Sequence, residues 1–231
     1  MKSWVIVPAA GAGKRFSPEA RKQYAKFLDM TVLEYTLKRL LAIDHIKIVV
    51  AVSSEDKAWR QLTIFKNTSI EVISGGKERA DSVLLALEHI KDEAEMNDWV
   101  LVHDGVRPCV KVADIINLMD QLSSHAIGGI LAVPVVATIK RATSKAEIKA
   151  TEDRSRLWEA QTPQMFRFSL LLEGLRQASK ANWQPTDESA AIENLGYMPR
   201  IIEGSHDNIK ITRREDIVIA EAIALCQQEW S

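Results

Sequence analysis

Trp4-Val5-Ile6-Val7-Pro8-Ala9-Ala10-Gly11-Ala12-Gly13-Lys14-Arg15 opens the chain. Its apolar, largely β-branched start reads as a buried strand. The small residues that follow let a backbone approach a ligand closely, and a glycine-bearing loop can turn successive N–H groups toward an anion. Lys14 and Arg15 come next, with Lys22 and Lys26 soon after. Access, N–H donors and cations together suit a nucleoside triphosphate. The stretch is not a P-loop, because no Gly-Lys-Ser/Thr follows at the required spacing. Nor is it a dinucleotide fingerprint, since Phe16 stands where a third small residue belongs. The second strand ends in Ser53-Ser54 with no ribose-binding acid, and Glu55 and Asp56 read better as the first turn of a helix.

Working outward, strand-like runs at about 3–7, 46–52, 69–73, 99–103 and 128–133 alternate with helical patterns. Val32, Leu33, Leu37, Leu40 and Leu41 mark one amphipathic helix, Val83, Leu84, Leu87 and Ile90 a second, and residues 112–122 a third. The alternation predicts an α/β fold: a mainly parallel twisted sheet flanked by helices on both faces. Ligands of such sheets sit beyond the carboxyl ends of the strands. That rule gathers the 8–15 loop, Gly75-Gly76-Lys77-Glu78-Arg79 and His103-Asp104-Gly105-Val106-Arg107-Pro108 at one crevice. After residue 134 the pattern changes. Val135 to Arg141 and Glu147 to Thr151 alternate apolar and polar residues around Thr143-Ser144-Lys145-Ala146, which predicts a projecting β-hairpin arm at about 135–152. The chain then returns through Gln161-Thr162-Pro163-Gln164 to helices at 168–180 and 187–195, a strand at 199–203 and a last helix from about 213.

No linker, repeat or low-complexity stretch divides the 231 residues, so residues 1–231 read as a single domain, long enough to bury a sizeable core. A net charge of −1 gives no global argument for nucleic acid or a membrane surface, and sparse aromatics offer no stacking platform for bases. Cys109 and Cys226 have no metal-ligand spacing and read as reduced structural thiols. With no leader pattern and no apolar run near the ~20 residues that span a bilayer, a cytoplasmic protein is expected.

Asp104 ends a strand at the crevice, where one carboxylate plus substrate phosphates suffices for Mg²⁺; the alternative is an Asp capping the next turn. His103 reads as a packing or hydrogen-bonding residue rather than a ligand. Arg107 either clamps a phosphate or pairs with a carboxylate. Gly76 permits close approach and Ser82 can bond a base or sugar, or the two simply form a tight turn. Arg154 and Lys210, read alone, are isolated surface cations.

Taken in order, these motifs resemble the 2-C-methyl-D-erythritol 4-phosphate cytidylyltransferase family over about residues 3–226. The resemblance rests on the 8–15 loop, Lys22-Gln23-Tyr24, Gly75 to Val83, and His103-Asp104 with Arg107-Pro108. It continues through Thr138-Ile139-Lys140-Arg141, Thr162-Pro163-Gln164, Thr186-Asp187-Glu188 and Asp207-Asn208-Ile209-Lys210. It implies a nucleotidyltransferase-type, Rossmann-like fold, an Mg²⁺-dependent homodimer with an interlocking arm, and CMP transfer from CTP to methylerythritol phosphate with release of pyrophosphate. By the same resemblance Arg15 and Lys22 stabilise the transition state. Ala9, Ala10, Gly11, Ala12, Gly13, Gly76, Lys77 and Ser82 hold the nucleotide, and Asp104 holds the metal. Thr138, Arg154 and Lys210 position the acceptor, with Arg107 beside them, Thr138 and Arg154 being supplied by the second subunit. The chain departs from the commoner family pattern at Arg21, Lys77, Gly105, Val106 and Ala137. A cytidylyltransferase for another polyol phosphate, such as ribitol 5-phosphate, is the alternative; a passive nucleotide-binding module or a nicotinamide oxidoreductase fits the motifs less well.

Overall fold

The computed structural model describes residues 2–11, 16 and 21–229. Its strands are β1 (Ser3–Ala9), β2 (Lys26–Phe27), β3 (Met30–Thr31), β4 (Ile46–Val52), β5 (Ile70–Ser74), β6 (Trp99–Val102), β7 (Gly128–Pro134), β8 (Lys140–Ala142), β9 (Ile148–Thr151), β10 (Trp158–Arg167) and β11 (Arg200–Glu203). Its helices are α1 (Val32–Leu40), α2 (Arg79–Ile90), α3 (Val112–Leu122), α4 (Phe168–Lys180), α5 (Glu188–Asn194) and α6 (Glu215–Glu229). Short 3₁₀ turns occupy Lys22–Tyr24, Ala58–Gln61 and Thr63–Lys66.

Seven strands form the central sheet in the order β11-β7-β10-β6-β1-β4-β5. All run parallel except β10, which is antiparallel to both β6 and β7. β1 lies near the middle, and its period-2 alternation divides its side chains between two cores. Val5, Val7 and Ala9 pack with Leu33 and Leu37 of α1 and Ile115 and Leu118 of α3. Trp4 and Ile6 pack on the opposite face with Val83 and Leu87 of α2 and Leu171 and Leu175 of α4. A third cluster joins Phe27 and Tyr35, edge to face at 4.9 Å, to Ala220 and Ala224 of α6. α1 starts where its sequence says it should. Thr31 and Glu34 form a reciprocal capping box, and Lys38 and Arg39 sit in the last turn, where cations complement the helix dipole.

The expected sheet, helices and projecting hairpin are present, with three corrections. Gln161 to Gln164 are not a connection; they lie inside the ten-residue β10. Their polar character hides the strand because these side chains are buried and bonded rather than solvated. Gln161 Nε2 donates to Ser205 O, and Gln164 Nε2 donates to Asp187 while its Oε1 accepts from Ser189 N. The hairpin strands are shorter than their alternation suggests: 135–139 is not strand, and only Lys140–Ala142 pairs with Ile148–Thr151. Asp56 does not open an α-helix; it precedes a 3₁₀ turn and is buried.

Candidate active site

The carboxyl ends of β1, β4, β5 and β6 share one edge of the sheet. A cleft of about 570 Å³ opens there, lined by Pro8 to Gly11, Lys22, Gln23, Gly76 to Arg79, Ser82, Asp104 to Val106 and Lys210. Glycine is required at its back wall. A Cβ on Gly75 would sit 2.7 Å from Ala10 Cβ, and one on Gly76 would collide with Asp81 Cβ. Without side chains, the loop after β5 seats directly against the loop after β1. Ser82, on the first turns of α2, donates to Glu78 O and accepts from Gly76 N, so it shapes this loop.

Four cations, Lys22, Lys77, Arg79 and Lys210, line the cleft against two acids, Glu78 and Asp104. Asp104 is the electrostatic centre. Its Oδ1 accepts from Arg79 Nε at 2.9 Å, its Oδ2 from Lys210 Nζ at 2.8 Å, and Arg107 Nε stands 3.5 Å from Oδ2. Burial alone would push this carboxyl up, but Arg79, Lys210 and Arg107 outweigh it and hold Asp104 well below the usual carboxylate range. Asp104 N donates to Thr162 Oγ1, which ties the end of β6 to β10.

Arg79 also makes a bidentate pair with Glu188, at 2.7 and 3.0 Å. Glu188 is buried and its acidity is weakened by that burial, against the pull of Arg79. Arg79 therefore bridges the N-terminus of α2, the end of β6 and the start of α5. Neither Arg79 nor Glu188 stands out as functional in the sequence, although both lie inside motifs that carry the resemblance. Their pairing spans 109 residues of chain, which no local pattern reveals.

A second, smaller hollow of about 260 Å³ shares Arg79, Asp104 and Lys210 with the cleft and adds Arg107, Gln161, Thr162, Thr186 and Asp187. The two spaces meet at Asp104. Lys210, unremarkable in the sequence, is thus a wall residue of both. Arg107 is buried, donates to Asn208 O at 2.5 Å and pairs with Asp104. His103, fully buried, has Nε2 3.2 Å from Arg107 O and Nδ1 3.1 Å from Thr162 Oγ1. A carbonyl only accepts, so Nε2 carries the proton and the Thr162 hydroxyl donates to Nδ1. Burial pushes this imidazole down to about 4. His103 is a buried, hydrogen-bonded residue of the core, in line with the sequence reading.

Thr138 and Arg154 are exposed, at the base of the arm, and line neither hollow of their own chain. Ala12, Gly13, Lys14 and Arg15 lie outside the described residues. No cluster of three or more His, Cys, Asp or Glu side chains able to hold a metal occurs among the described residues. A larger cleft of about 800 Å³, between α3 and α6, is more apolar, and its Lys111 is paired with Asp207 at 2.7 Å. Cys109 and Cys226 are both free thiols; Cys109 is buried and its thiol is pushed up to about 12 by that burial, which makes it inert. No helix among the described residues is long and apolar enough to cross a membrane.

Comparison with known proteins bears on the whole of this arrangement. The family model for 2-C-methyl-D-erythritol 4-phosphate cytidylyltransferase matches residues 3–225. The protein of that name from Hahella chejuensis is 48% identical over 221 residues, covering 95% of this chain and 92% of the relative. That from Ruthia magnifica is 48% identical over 227 residues, with 94% of each covered. Among solved structures, the Francisella tularensis enzyme of the same name is 36% identical with a TM-score of 0.84, covering 96% of this chain and all (100%) of that one. With a two-loop cleft closed on a triply paired aspartate, a family model that matches residues 3–225 and a relative that matches 95% of its length, the chain belongs to the 2-C-methyl-D-erythritol 4-phosphate cytidylyltransferase family.

Proposed function

We propose that this protein transfers the cytidylyl group of CTP to the phosphate of 2-C-methyl-D-erythritol 4-phosphate. The products are pyrophosphate and 4-diphosphocytidyl-2-C-methyl-D-erythritol, an intermediate of isoprenoid precursor synthesis. The observation that carries this reading is the meeting of two hollows at one ionised carboxylate, with Arg79 and Lys210 on the shared wall. One space accommodates a nucleotide, the other a small phosphorylated polyol, and the reacting phosphates meet between them.

A phosphate oxygen of the acceptor attacks the α-phosphorus of CTP. The bond from that phosphorus to the bridging oxygen breaks, and its electron pair leaves with pyrophosphate. No protein nucleophile is needed, because an ionised phosphate monoester already is one. The obstacle is repulsion between two anions, so the site must neutralise both and hold them in line. Ala9, Ala10, Gly11 and Gly76 offer backbone to the nucleotide, as do Ala12 and Gly13 of the loop, and Lys77 and Ser82 frame the base side. The Lys22 ammonium, together with Arg15, stabilises the charge added at five-coordinate phosphorus. Lys210 anchors the acceptor phosphate, and Arg107 acts indirectly by holding Asp104.

Asp104 fits a single-carboxylate Mg²⁺ site. It is ionised, it borders the cleft, and among the described residues Oδ1 accepts one hydrogen bond, which leaves acceptor capacity. Among the described residues no cluster of three or more such ligands surrounds it, so the remaining ligands would be triphosphate oxygens and water. Bound there, the ion supplies charge neutralisation at the phosphates. Thr138 and Arg154 reach the acceptor from the arm of a second subunit, so the working unit is a homodimer in the cytoplasm. Nucleic acid and membrane have no part in it. Exposed Val136, Ile148, Leu157 and Trp158 on and beside the arm support its use as a contact surface.

The test is pyrophosphate release with Mg²⁺ and CTP, offering methylerythritol phosphate and ribitol 5-phosphate separately, with ATP, GTP and UTP as controls. Release with CTP and methylerythritol phosphate alone is expected. Release with ribitol 5-phosphate alone would keep the mechanism and replace the acceptor.

A further inference from the structure

The residue taken to stabilise the transition state, Lys22, rides on a three-residue 3₁₀ turn with no side-chain cap at its start. So short a turn holds itself only through Tyr24 N to Arg21 O and Ala25 N to Lys22 O. One isolated turn cannot fix its own position, because nucleating it orders several residues for a bond or two. Its placement has to come from elsewhere, and three distant segments supply it. Gln23 Nε2 donates to Ala9 O at 2.9 Å, tying the turn to the end of β1. Lys22 Nζ donates to Ile211 O at 3.2 Å. The residues on either side of that pair, Arg21 and Tyr24, both reach the same oxygen: Arg21 Nη1 and Tyr24 Oη lie 2.8 Å from Oδ2 of Asp56.

Asp56 is built for this. Its side chain is 3% exposed, and its Oδ1 accepts from Ala58 N at 2.9 Å, so the carboxylate cannot swing away. Its own N–H donates to Ser53 O just beyond β4, which fixes it to the sheet. Tyr24 packs its ring on the core beside α1. Burial and the bond to Asp56 hold its phenol above the usual range, so it stays a neutral donor. Arg21 has an extended backbone, φ −72° and ψ 120°, and its side chain is 31% exposed, so the partner that orders it is Asp56.

We infer that Asp56 is a positioning residue for the transfer reaction: by gripping Arg21 and Tyr24 on both flanks of Lys22, it sets where the Lys22 ammonium meets the α-phosphate. This rests on the cytidylyltransferase reading given above. Asp56 is not among the residues that line the cleft, so it acts on the reaction through Arg21 and Tyr24. A displacement of ~1 Å at a group that acts only in the transition state costs about 10²-fold in rate.

The experiment is a double-mutant cycle on turnover, with Asp56→Ala, Lys22→Ala and the pair, and with kcat and KM measured for both substrates. Asp56→Ala is expected to lower kcat about 10- to 100-fold, with both KM values within about threefold. In the Lys22→Ala background the same change should cost nothing further, because residues that act as a unit are not additive. Equal losses in both backgrounds, or an unchanged kcat in Asp56→Ala, would overturn the inference. Should Asp56→Ala fail to fold, Tyr24→Phe removes one grip and keeps the ring. It should lower kcat several-fold, again only when Lys22 is present. Wild-type protein that releases no pyrophosphate from CTP and methylerythritol phosphate would refute the reaction, and this role with it. Activity with additive losses would refute the role alone.

Discussion

Acidification acts on this fold first through His103. The imidazole is fully buried between Thr162 and Arg107 O, and its neutral form satisfies both neighbours. In the unfolded chain it takes up a proton near 6.5, whereas in the fold burial delays this to about 4. Between those values the unfolded state binds more protons than the folded one, so stability falls as pH falls. The contribution is whole above about pH 6.5 and lost as pH drops toward about 4. The gap corresponds to about 3 kcal/mol, of which about 2 kcal/mol falls between about pH 7 and 5. For a domain of this size that is about 4–8 °C in melting temperature over the same interval. Glu188, weakened as an acid by burial, works in the opposite sense, so wild type must be compared with His103→Gln rather than read alone. Urea unfolding from about pH 7 to 4 should give a wild-type curve that falls away from the His103→Gln curve by the stated amount. Parallel curves over that range, with a difference that stays constant, would refute the claim that burial keeps His103 neutral.

Further predictions follow from the cleft. Lys22→Ala should cut turnover by about 10²-fold or more while CTP still binds, read by pyrophosphate release beside calorimetric CTP titration. Arg79→Ala strands buried Glu188 without its bidentate partner and should cost on the order of 3–5 kcal/mol of stability by chemical denaturation. Glu188→Gln removes the charge but keeps an acceptor and should cost less. Arg154→Ala should raise KM for methylerythritol phosphate at least tenfold while KM for CTP moves little. A fully active monomer in sedimentation would remove Arg154 from a shared site.

What the sequence made legible is what short-range pattern encodes. The first strand and its small-residue loop, the alternation that builds a mostly parallel sheet, and an aspartate at the end of a central strand all follow from spacing and residue type. The cleft appears where the rule about carboxyl ends of strands puts it. The pairings inside it do not follow. Arg79 with Glu188, Asp104 with Lys210, and Arg21 with Asp56 join residues that only folding brings together. β10 escaped notice for the complementary reason. Gln161, Thr162 and Gln164 look like loop residues until their partners just after β6, at the start of α5 and in the 205–208 segment are known. Lys210 illustrates both points: alone it is a surface lysine, and beside Asp104 it is a wall of the site.

β10 has a consequence that reaches past the chain's own fold. The strand begins at Trp158, where the arm rejoins the body, and by Thr162 it is already bonded to the main chain of Asp104. Between Ala160 and Gln164 its register against β7 slips, which divides an outer part next to the arm from an inner part paired with β6. In the proposed homodimer, assembly and chemistry would therefore share one beam. A molecule that wedges under the arm would inhibit without entering either hollow, by spoiling the alignment of an aspartate it never touches.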